Sequence, residues 1–336
     1  MQAGRRWISR LLRYAVCAAA ITWLAQQTDW AEMKRVWLEA DKGLLVLGVF
    51  CFWPSVVLIS IRLRRVLAVH DIHVSVWRAI MVTFAGNFVA NAFPLGTTGG
   101  DSVKAYLVAR ETPHKHEAVM CVLFDRLVGV AGLVMLAGLV LLASWGNPAF
   151  AKWGRIIGVL ILALVVGGGV YFSNRLRCWF HVDDLISRLP FGQHLQRLDR
   201  AVLVFRHHGR CVVECVILTA ILQLNSIFCM FLMGWALNLV GDRPLTAIPV
   251  YLGYIPIAFL TGALPIGVLE VTLQELLAGA AALGSPEAAI SLGLMCRVMQ
   301  LVWALPGIVP VLQGRPAAGA RAMVVEESLE PENASG

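Results

Sequence analysis

Charged residues are scarce in this sequence. Only 15% of its 336 residues are Asp, Glu, Lys or Arg, whereas soluble domains carry about 25%. Hydrophobic residues make up 58%. Apolar runs long enough to cross a bilayer, about 18–25 residues, recur along the chain, and several are apolar on all sides, which indicates surrounding lipid rather than water. The composition therefore argues against an ordinary soluble enzyme and predicts an all-α, polytopic integral membrane helix bundle.

Several motifs that carry chemistry are also missing. The eight cysteines form no Cys-x-x-Cys pair and no Cys/His cluster with zinc spacing. The sequence has no Gly-Lys-Ser/Thr phosphate loop, no aspartate-rich metal motif and no serine nucleophile elbow. We therefore expect no disulfide, no metal, no cofactor and no enzyme activity.

The basic residues predict the partners. The net charge of +7 comes from Arg and Lys at the ends of apolar runs. They form no single basic stripe with interleaved aromatic residues, so we expect no nucleic acid. Contacts with membrane lipids are expected instead, with anionic headgroups at the cytoplasmic face.

The apolar segments set the topology. They cover residues 11–24, 43–61, 77–94, 119–145, 155–172, 211–240, 247–264 and 288–312. If all eight cross, the arginine-rich connector 173–210 falls opposite the arginine-rich N-terminus and the connector holding Arg62, Arg64, Arg65 and Arg78, against the positive-inside rule. The conflict disappears with about six spans plus two re-entrant hairpins, near residues 77–100 and 247–282.

This topology places both termini in the cytoplasm and the chain in the inner membrane. No small-residue cleavage site follows residues 11–24, so we expect that segment to remain as the first span. Connector 173–210 shows helical spacing of apolar residues with arginines on the other faces, which predicts a basic amphipathic helix in the cytoplasmic interface. A solvent-facing helix packed on its neighbours is the alternative. The polar tail, residues 315–336, is expected to be disordered.

Two stretches of the chain are similar to each other. Each has Pro-x-Gly, then an acid, an apolar-rich helix, and an arginine. The residues are Pro94, Gly96, Asp101 and Arg126 in the first stretch, and Pro265, Gly267, Glu270 and Arg297 in the second. With the preferred topology the repeat units, near residues 77–145 and 247–312, are inverted, an arrangement known in secondary transporters. Chance similarity between apolar segments is the alternative.

Ionisable residues inside apolar runs carry the site prediction. A charge at the centre of a membrane helix costs about 2.5–3.5 kcal/mol on insertion scales, so it usually pairs or lines a wet cavity. Asp125 and Arg126 are adjacent and point about 100° apart, so each needs a partner elsewhere. We predict a central network of Asp101, Arg126, Glu270 and Arg297. Solvation at headgroup level is the alternative for Asp125, Arg126 and Glu214.

The glycine-rich stretch before Asp101 admits two interpretations. Gly96, Gly99 and Gly100 predict a hairpin turn opening a helix, with Asp101 as its N-cap. Backbone N–H groups there, with positive charge from Lys104, Arg110 and Arg126, would also suit a lipid phosphate. The Asp101 carboxylate at the same spot opposes that second interpretation.

At these residues the chain resembles the membrane region of lysylphosphatidylglycerol synthases, a flippase-like family. The similarity runs through Asn87, residues 94–106, Glu117-Ala118 and residues 125–129, and returns at Pro265, residues 267–270, Gly284, Ala288 and Arg297. Two positions depart from the family pattern. Lys104 stands where the family usually has Arg, which keeps the charge but loses the bidentate fork. The second motif, Pro265-Ile266-Gly267, has fewer glycines than usual.

The resemblance implies a flippase-like transmembrane domain over residues 1–314, without the soluble aminoacyl-transferase domain. It implies a phospholipid or polyprenyl-lipid translocase without its own ATPase. The expected headgroup site or central polar network is Asn87, Asp101, Lys104, Asp125, Arg126, Glu270 and Arg297. The expected hairpin-forming residues are Pro94, Gly96, Gly99, Gly100, Pro265 and Gly267.

Two alternatives stay open at this point. The chain could be a non-catalytic membrane subunit that holds partner proteins of lipid or glycan synthesis. It could instead be a membrane-embedded headgroup enzyme, for which Asp101, Asp125, His114 and His116 are the only candidate groups.

Overall fold

The computed structural model describes residues 28–92, 96–143, 158–163, 166–167, 179, 203–241, 244–261 and 267–314. Within these ranges the chain is helical and contains no strand. The numbered helices are α1 Trp30–Glu39, α2 Lys42–Phe50, α3 Trp53–Ala68, α4 Val76–Ala92, α5 Gly96–Ala109, α6 Lys115–Ala143, α7 Gly209–Ala236, α8 Pro244–Thr261, α9 Val268–Leu273, α10 Pro286–Ala304 and α11 Ile308–Gly314. A π-helix, Gln274–Ala280, follows α9, and short 3-10 turns occupy Phe205–His207 and Leu305–Gly307.

Five stretches of the described residues are long and apolar enough to cross a membrane. They are Lys42–Ala68, Lys115–Leu139, Gly209–Ala236, Pro244–Thr261 and Pro286–Leu312. The predicted all-α polytopic bundle is thereby confirmed. By length and composition α8 counts as a candidate span and α4 does not, so the number of spans and the two re-entrant hairpins stay predictions.

Several predicted segments lie outside the described residues. They are the first span 11–24, the tail 315–336, and connector 173–210 apart from residue 179 and residues 203–210. The predicted inverted relation between the two repeat units also stays a prediction.

The chain divides into two compact units. The first comprises Met1–Ser55, Val128–Tyr171 and Thr219–Met299, and the second Val56–Leu127, Phe172–Leu218 and Gln300–Gly336. Each unit is described below by the contacts among its own residues.

Small residues bring helices together in the first unit. A Cβ on Gly48 of α2 would lie 2.7 Å from Met233 Cγ on α7, so the two helices touch where the side chain is absent. At the break after α2, Asn225 Nδ2 donates to the Cys51 carbonyl oxygen at 3.2 Å and to Ser55 Oγ at 2.8 Å. A side chain of α7 thus satisfies a carbonyl that the helix break would otherwise leave open.

A tight helical hairpin, α4 with α5, forms part of the second unit. A Cβ on Gly100 would overlap the Gly86 carbonyl oxygen and stand 2.8 Å from Ala90 Cβ. The far ends of the two segments are joined by the Arg78–Glu111 ion pair, with Nε 3.1 Å from Oε2. Because Glu111, just past the end of α5, meets Arg78, early in α4, the helices are antiparallel.

Gly100→Ala should destabilise the protein by about 1–3 kcal/mol, because the added methyl meets backbone that must shift. Gly209→Ala is the matched control, since nothing lies within 4 Å of a Cβ at that helical glycine. Thermal unfolding of the detergent-solubilised variants, followed by size-exclusion fluorescence, measures the effect. Equal melting temperatures for the two variants would show that the close approach of α4 and α5 does not matter for stability.

Candidate functional site

The buried carboxylate of Glu270 is the polar centre of the first unit. Gly267 precedes α9 with φ at +102°, a conformation that side chains disfavour. From the first turn of α9, Glu270 reaches back, and its Oε2 accepts from the Gly267 N–H at 2.9 Å. Its Oε1 accepts from Arg297 Nε at 3.1 Å. Only 1% of Glu270 is exposed, so both bonds serve a desolvated charge.

Helix α10 places the partner arginine. Gly293 lies one turn before Arg297, and a Cβ there would stand 2.9 Å from Glu270 Cγ, so α10 approaches Glu270 closely at this glycine. Among the described residues, Nη2 of Arg297 is buried without a hydrogen-bond partner, as are Tyr251 Oη, Gln274 Oε1 and Ser291 Oγ. Buried polar groups normally have partners, so Arg297 retains a donor for a further acceptor.

The most deeply buried ion pair among the described residues of the second unit joins Arg62 to Asp125. Arg62 Nε donates to Oδ1 at 2.7 Å and Nη2 donates to Oδ2 at 3.0 Å. Both residues are buried, 6% and 8% exposed. The parallel two-bond geometry is the one in which a guanidinium holds a carboxylate best.

The placement of Arg62 in a connector after the helix is wrong, because Arg62 lies inside α3 and is buried; the side of the membrane on which this end of α3 lies stays a prediction. The apolar run ends at Ile61, but α3 continues to Ala68 because no Gly or Pro interrupts residues 55–68. Arg62 is therefore a helical core residue that the site prediction missed. The signal that could have found it was the need of Asp125 for a cation other than Arg126.

A looser arrangement surrounds Asp101. Arg126 Nε lies 3.6 Å from Asp101 Oδ2, and Lys104 Nζ lies 3.9 Å from Asp101 Oδ1. Both separations exceed a hydrogen bond. The Arg126 side chain is 42% exposed, compared with 19% for Asp101. Arg126 is thus an accessible cation held by one long electrostatic contact among the described residues.

The expectation that Asp101 caps a helix is wrong. Helix α5 begins at Gly96, so Asp101 lies inside the helix and beyond its first turn. The glycines are helical too, and Gly100 serves the close packing on α4 rather than a turn. Pro94 and Pro265 lie outside the described residues.

Lys104 and Asn87 complete the predicted set. The Lys104 side chain passes over Gly86, where a Cβ would stand 2.5 Å from its Cγ and Cε, and this contact brings the ammonium toward Asp101. Asn87 is half-buried on α4, and its carbonyl oxygen accepts from Asn91 Nδ2 at 2.8 Å. Within the described residues its own side chain makes no hydrogen bond to these charges.

Other ionisable residues have peripheral places. Glu214 Oε2 lies 3.4 Å from Arg65 Nε and its Oε1 lies 3.2 Å from Arg210 Nε, near the start of α7; its solvation at headgroup level stays a prediction. His114 and His116 are exposed at the start of α6. In the part of the chain that the structure describes, no three His, Cys, Asp or Glu residues are grouped so as to hold a metal ion.

Apolar helices of spanning length, with ion pairs buried among them, define a multi-pass helical membrane protein. The chain belongs to the family described as lysylphosphatidylglycerol synthase TM region, whose model matches residues 10–307. The predicted family resemblance is thus confirmed, and it connects the chain with membrane lipids. Comparison with curated proteins and with solved structures gives no match.

Proposed function

We propose that the protein is a translocase for phospholipids or polyprenyl lipids, acting without its own ATPase and making or breaking no covalent bond. One observation carries this proposal. In two separate stretches an acid that follows Pro-x-Gly pairs with an arginine of a later apolar helix, Asp101 with Arg126 and Glu270 with Arg297. Charges placed among membrane helices mark pathways for polar cargo more often than they serve stability.

The proposed mechanism is an exchange of partners. With no lipid bound, each carboxylate neutralises its arginine, which lowers the cost of both charges in an apolar setting. An arriving headgroup phosphate competes for the guanidinium, because arginine binds phosphate through two parallel hydrogen bonds. When the lipid leaves, the carboxylate pairs with the arginine again. The arginine is therefore paired with an anion both with and without lipid, and its electrostatic free energy changes little while the lipid crosses.

The cellular setting belongs to the same proposal. We place the protein in the inner membrane with a cytoplasmic N-terminus, because the arginine-rich segments then lie on the cytoplasmic side. Anionic headgroups are its expected neighbours there.

Arg126→Ala/Glu270→Ala should lower the rate of lipid transport at least about tenfold, since each change removes one member of an exchanging pair. The assay reconstitutes the protein in phosphatidylcholine vesicles with a trace of fluorescent phosphatidylglycerol and measures the fraction quenched from outside. The matched control is Arg35→Ala/Glu39→Ala, which removes an exposed pair 3.7 Å apart.

Arg126→Lys separates folding from function. It keeps the charge beside Asp101 but loses the two-bond fork, so it should fold and yet transport more slowly. A wild-type transport rate in Arg126→Ala/Glu270→Ala would overturn the proposal. It would favour instead a subunit that holds partners of lipid or glycan synthesis.

A further inference from the structure

Two thiols lie one helical turn apart at the start of α7. Cys211 is half-buried, Cys215 is fully buried, and both are free. Residues four apart in an α-helix have α-carbons separated by about 6 Å, and disulfides join α-carbons about 4.4–6.8 Å apart. A side-chain hydrogen bond joins the two thiols. Their sulfur atoms therefore already lie against each other.

The surroundings of Cys211 suit reaction with a reagent from water. Cys211 directly follows Arg210, whose side chain is 94% exposed. Three residues after Cys211, the Glu214 carboxylate lies 3.2 Å from Arg210 Nε and 3.4 Å from Arg65 Nε. Partly exposed cysteines with cations nearby are the ones that react with oxidants. Cys211 has this environment, and the buried Cys215 stands behind it.

A third thiol, Cys121 of α6, lies in the same unit. Cys121 Sγ donates to the Val66 carbonyl oxygen at 3.5 Å, and Cys211 Sγ donates to the Arg65 carbonyl oxygen at 3.5 Å. Cys121 is fully buried on a different helix. Cys215 shares a helix face with Cys211 and is hydrogen-bonded to it, so Cys215 is the favoured partner for Cys211.

We propose that Cys211 and Cys215 form a reversible disulfide when a peroxide reaches the start of α7. The Cys211 sulfur attacks one oxygen of hydrogen peroxide, the O–O bond breaks, and one water leaves a sulfenic acid behind. The Cys215 sulfur then attacks the Cys211 sulfur, the S–O bond breaks, and a second water leaves. The two thiols lose two hydrogens and two electrons, and the peroxide gains them.

Oxidation should weaken the contact between α7 and α3. The thiol proton that Cys211 donates to the Arg65 carbonyl oxygen is lost. A disulfide needs Cβ atoms about 3.5–4.5 Å apart, whereas residues four apart on a helix hold them about 5–6 Å apart. The first turn of α7 must therefore distort. Because Glu214 lies between the two cysteines, its ion pair with Arg65 should weaken as well.

Fragment mapping identifies the partner of Cys211. The full chain in a non-ionic detergent is treated with hydrogen peroxide, the remaining thiols are blocked with N-ethylmaleimide, and the protein is digested after Lys, Arg and Glu. Residues 211–214 then form a fragment with a single cysteine. This fragment should be linked to the one that begins at Cys215, and dithiothreitol should separate the two.

Two results of this digest would overturn the proposal. One is recovery of residues 211–214 without any linked fragment after peroxide treatment. The other is a link from residues 211–214 to residues 118–126, which contain Cys121. Before oxidation, N-ethylmaleimide should label Cys211 at least about tenfold faster than the buried Cys121. Equal labelling rates would contradict the accessibility assigned to Cys211.

Cys215→Ser should abolish the linked product. Cys51→Ser is the matched control, because Cys51 is also half-buried but has Ser55, not a cysteine, four residues later. Cys51→Ser and Cys229→Ser should both keep the product. A link that persists in Cys215→Ser, or disappears in Cys229→Ser, would assign the partner to Cys229 and overturn the proposal. The wild-type digest needs no variant, so it tests the choice between Cys215 and Cys121 even if Cys215→Ser does not fold.

Thermal unfolding tests the consequence for α3. The oxidised protein should melt at a lower temperature than the reduced protein, and dithiothreitol should restore the original value. A melting temperature that oxidation leaves unchanged would overturn the weakened contact between α7 and α3. The disulfide itself is read from the linked fragments, so this inference does not rest on lipid transport.

Discussion

Arg62→Met should destabilise the protein by about 3–5 kcal/mol, because Asp125 would remain as a buried carboxylate without its cation. Asp125 is 8% exposed. Among the described residues, Arg62 donates both of the side-chain hydrogen bonds that the Asp125 carboxylate accepts. Unfolding by titration with SDS in mixed micelles measures the free-energy change. The effect should appear without any lipid substrate, since it concerns the empty protein.

The rescue variant is Arg62→Met/Asp125→Leu. Replacing both members of a buried pair by apolar residues of similar volume is often neutral or stabilising, so the double variant should recover most of the loss. Arg35→Met, at a side chain 64% exposed, should change stability by less than about 1 kcal/mol. A double variant as unstable as Arg62→Met would mean that packing, rather than the unpaired charge, explains the loss.

Arg297→Met should have a comparable effect in the first unit, again about 3–5 kcal/mol. Glu270 is the more deeply buried partner of this pair, with a side chain 1% exposed against 25% for Arg297. Among the described residues, removal of the arginine leaves the Gly267 N–H as the single hydrogen-bond donor to this carboxylate. The same titration with SDS reports the change.

Glu270→Gln supplies the matched test for this pair. In Glu270→Gln/Arg297→Met the amide oxygen can still accept from the Gly267 N–H, and no charge is left unpaired. Stability should therefore return to within about 1–2 kcal/mol of the wild type. Arg210→Met, an exposed i,i+4 partner of Glu214, should change stability by less than about 1 kcal/mol. A loss of equal size in Arg210→Met and Arg297→Met would contradict the role assigned to burial.

The class of protein could be predicted from the sequence because a helix that crosses a lipid bilayer needs a long apolar stretch, which the composition alone reveals. A run such as residues 209–236 is long and apolar enough to cross a membrane, and that property is visible without knowing any contact. The similarity of two stretches also directed attention to Asp101, Arg126, Glu270 and Arg297. The structure joins these four within each stretch, acid to arginine.

The partner of Asp125 could not be predicted in the same way. A window of hydropathy ends at the first charged residue, so it separated Arg62 from the helix to which it belongs. Helix length depends on packing and on the absence of Gly or Pro, and α3 continues through three arginines to Ala68. Sequence distance gave no guidance either, because Arg62 and Asp125 are 63 residues apart.

The sequence likewise gave no sign that Asp101 lies inside a helix or that a π-helix follows α9. Gly-Gly before an acid usually indicates a turn and a cap. Here glycine is needed within the helix, because Gly100 faces the Gly86 carbonyl oxygen. The π-helical stretch Gln274–Ala280 has no residue pattern that separates it from an α-helix; tertiary packing decides between them.

Two adjacent residues of α6, Asp125 and Arg126, differ in how tightly they bind their partners on other helices. Asp125 is tied to α3 by two short bonds, whereas Arg126 reaches α5 across 3.6 Å. One turn of helix therefore combines a buried, hydrogen-bonded side chain with a more exposed one held by a longer contact. The Arg62–Asp125 pair should oppose rotation of α6 about its axis when a ligand attracts Arg126. The response to a bound anion should be confined to the Arg126 side chain, which can swing within nanoseconds, while the α6 backbone beside Asp125 keeps its position.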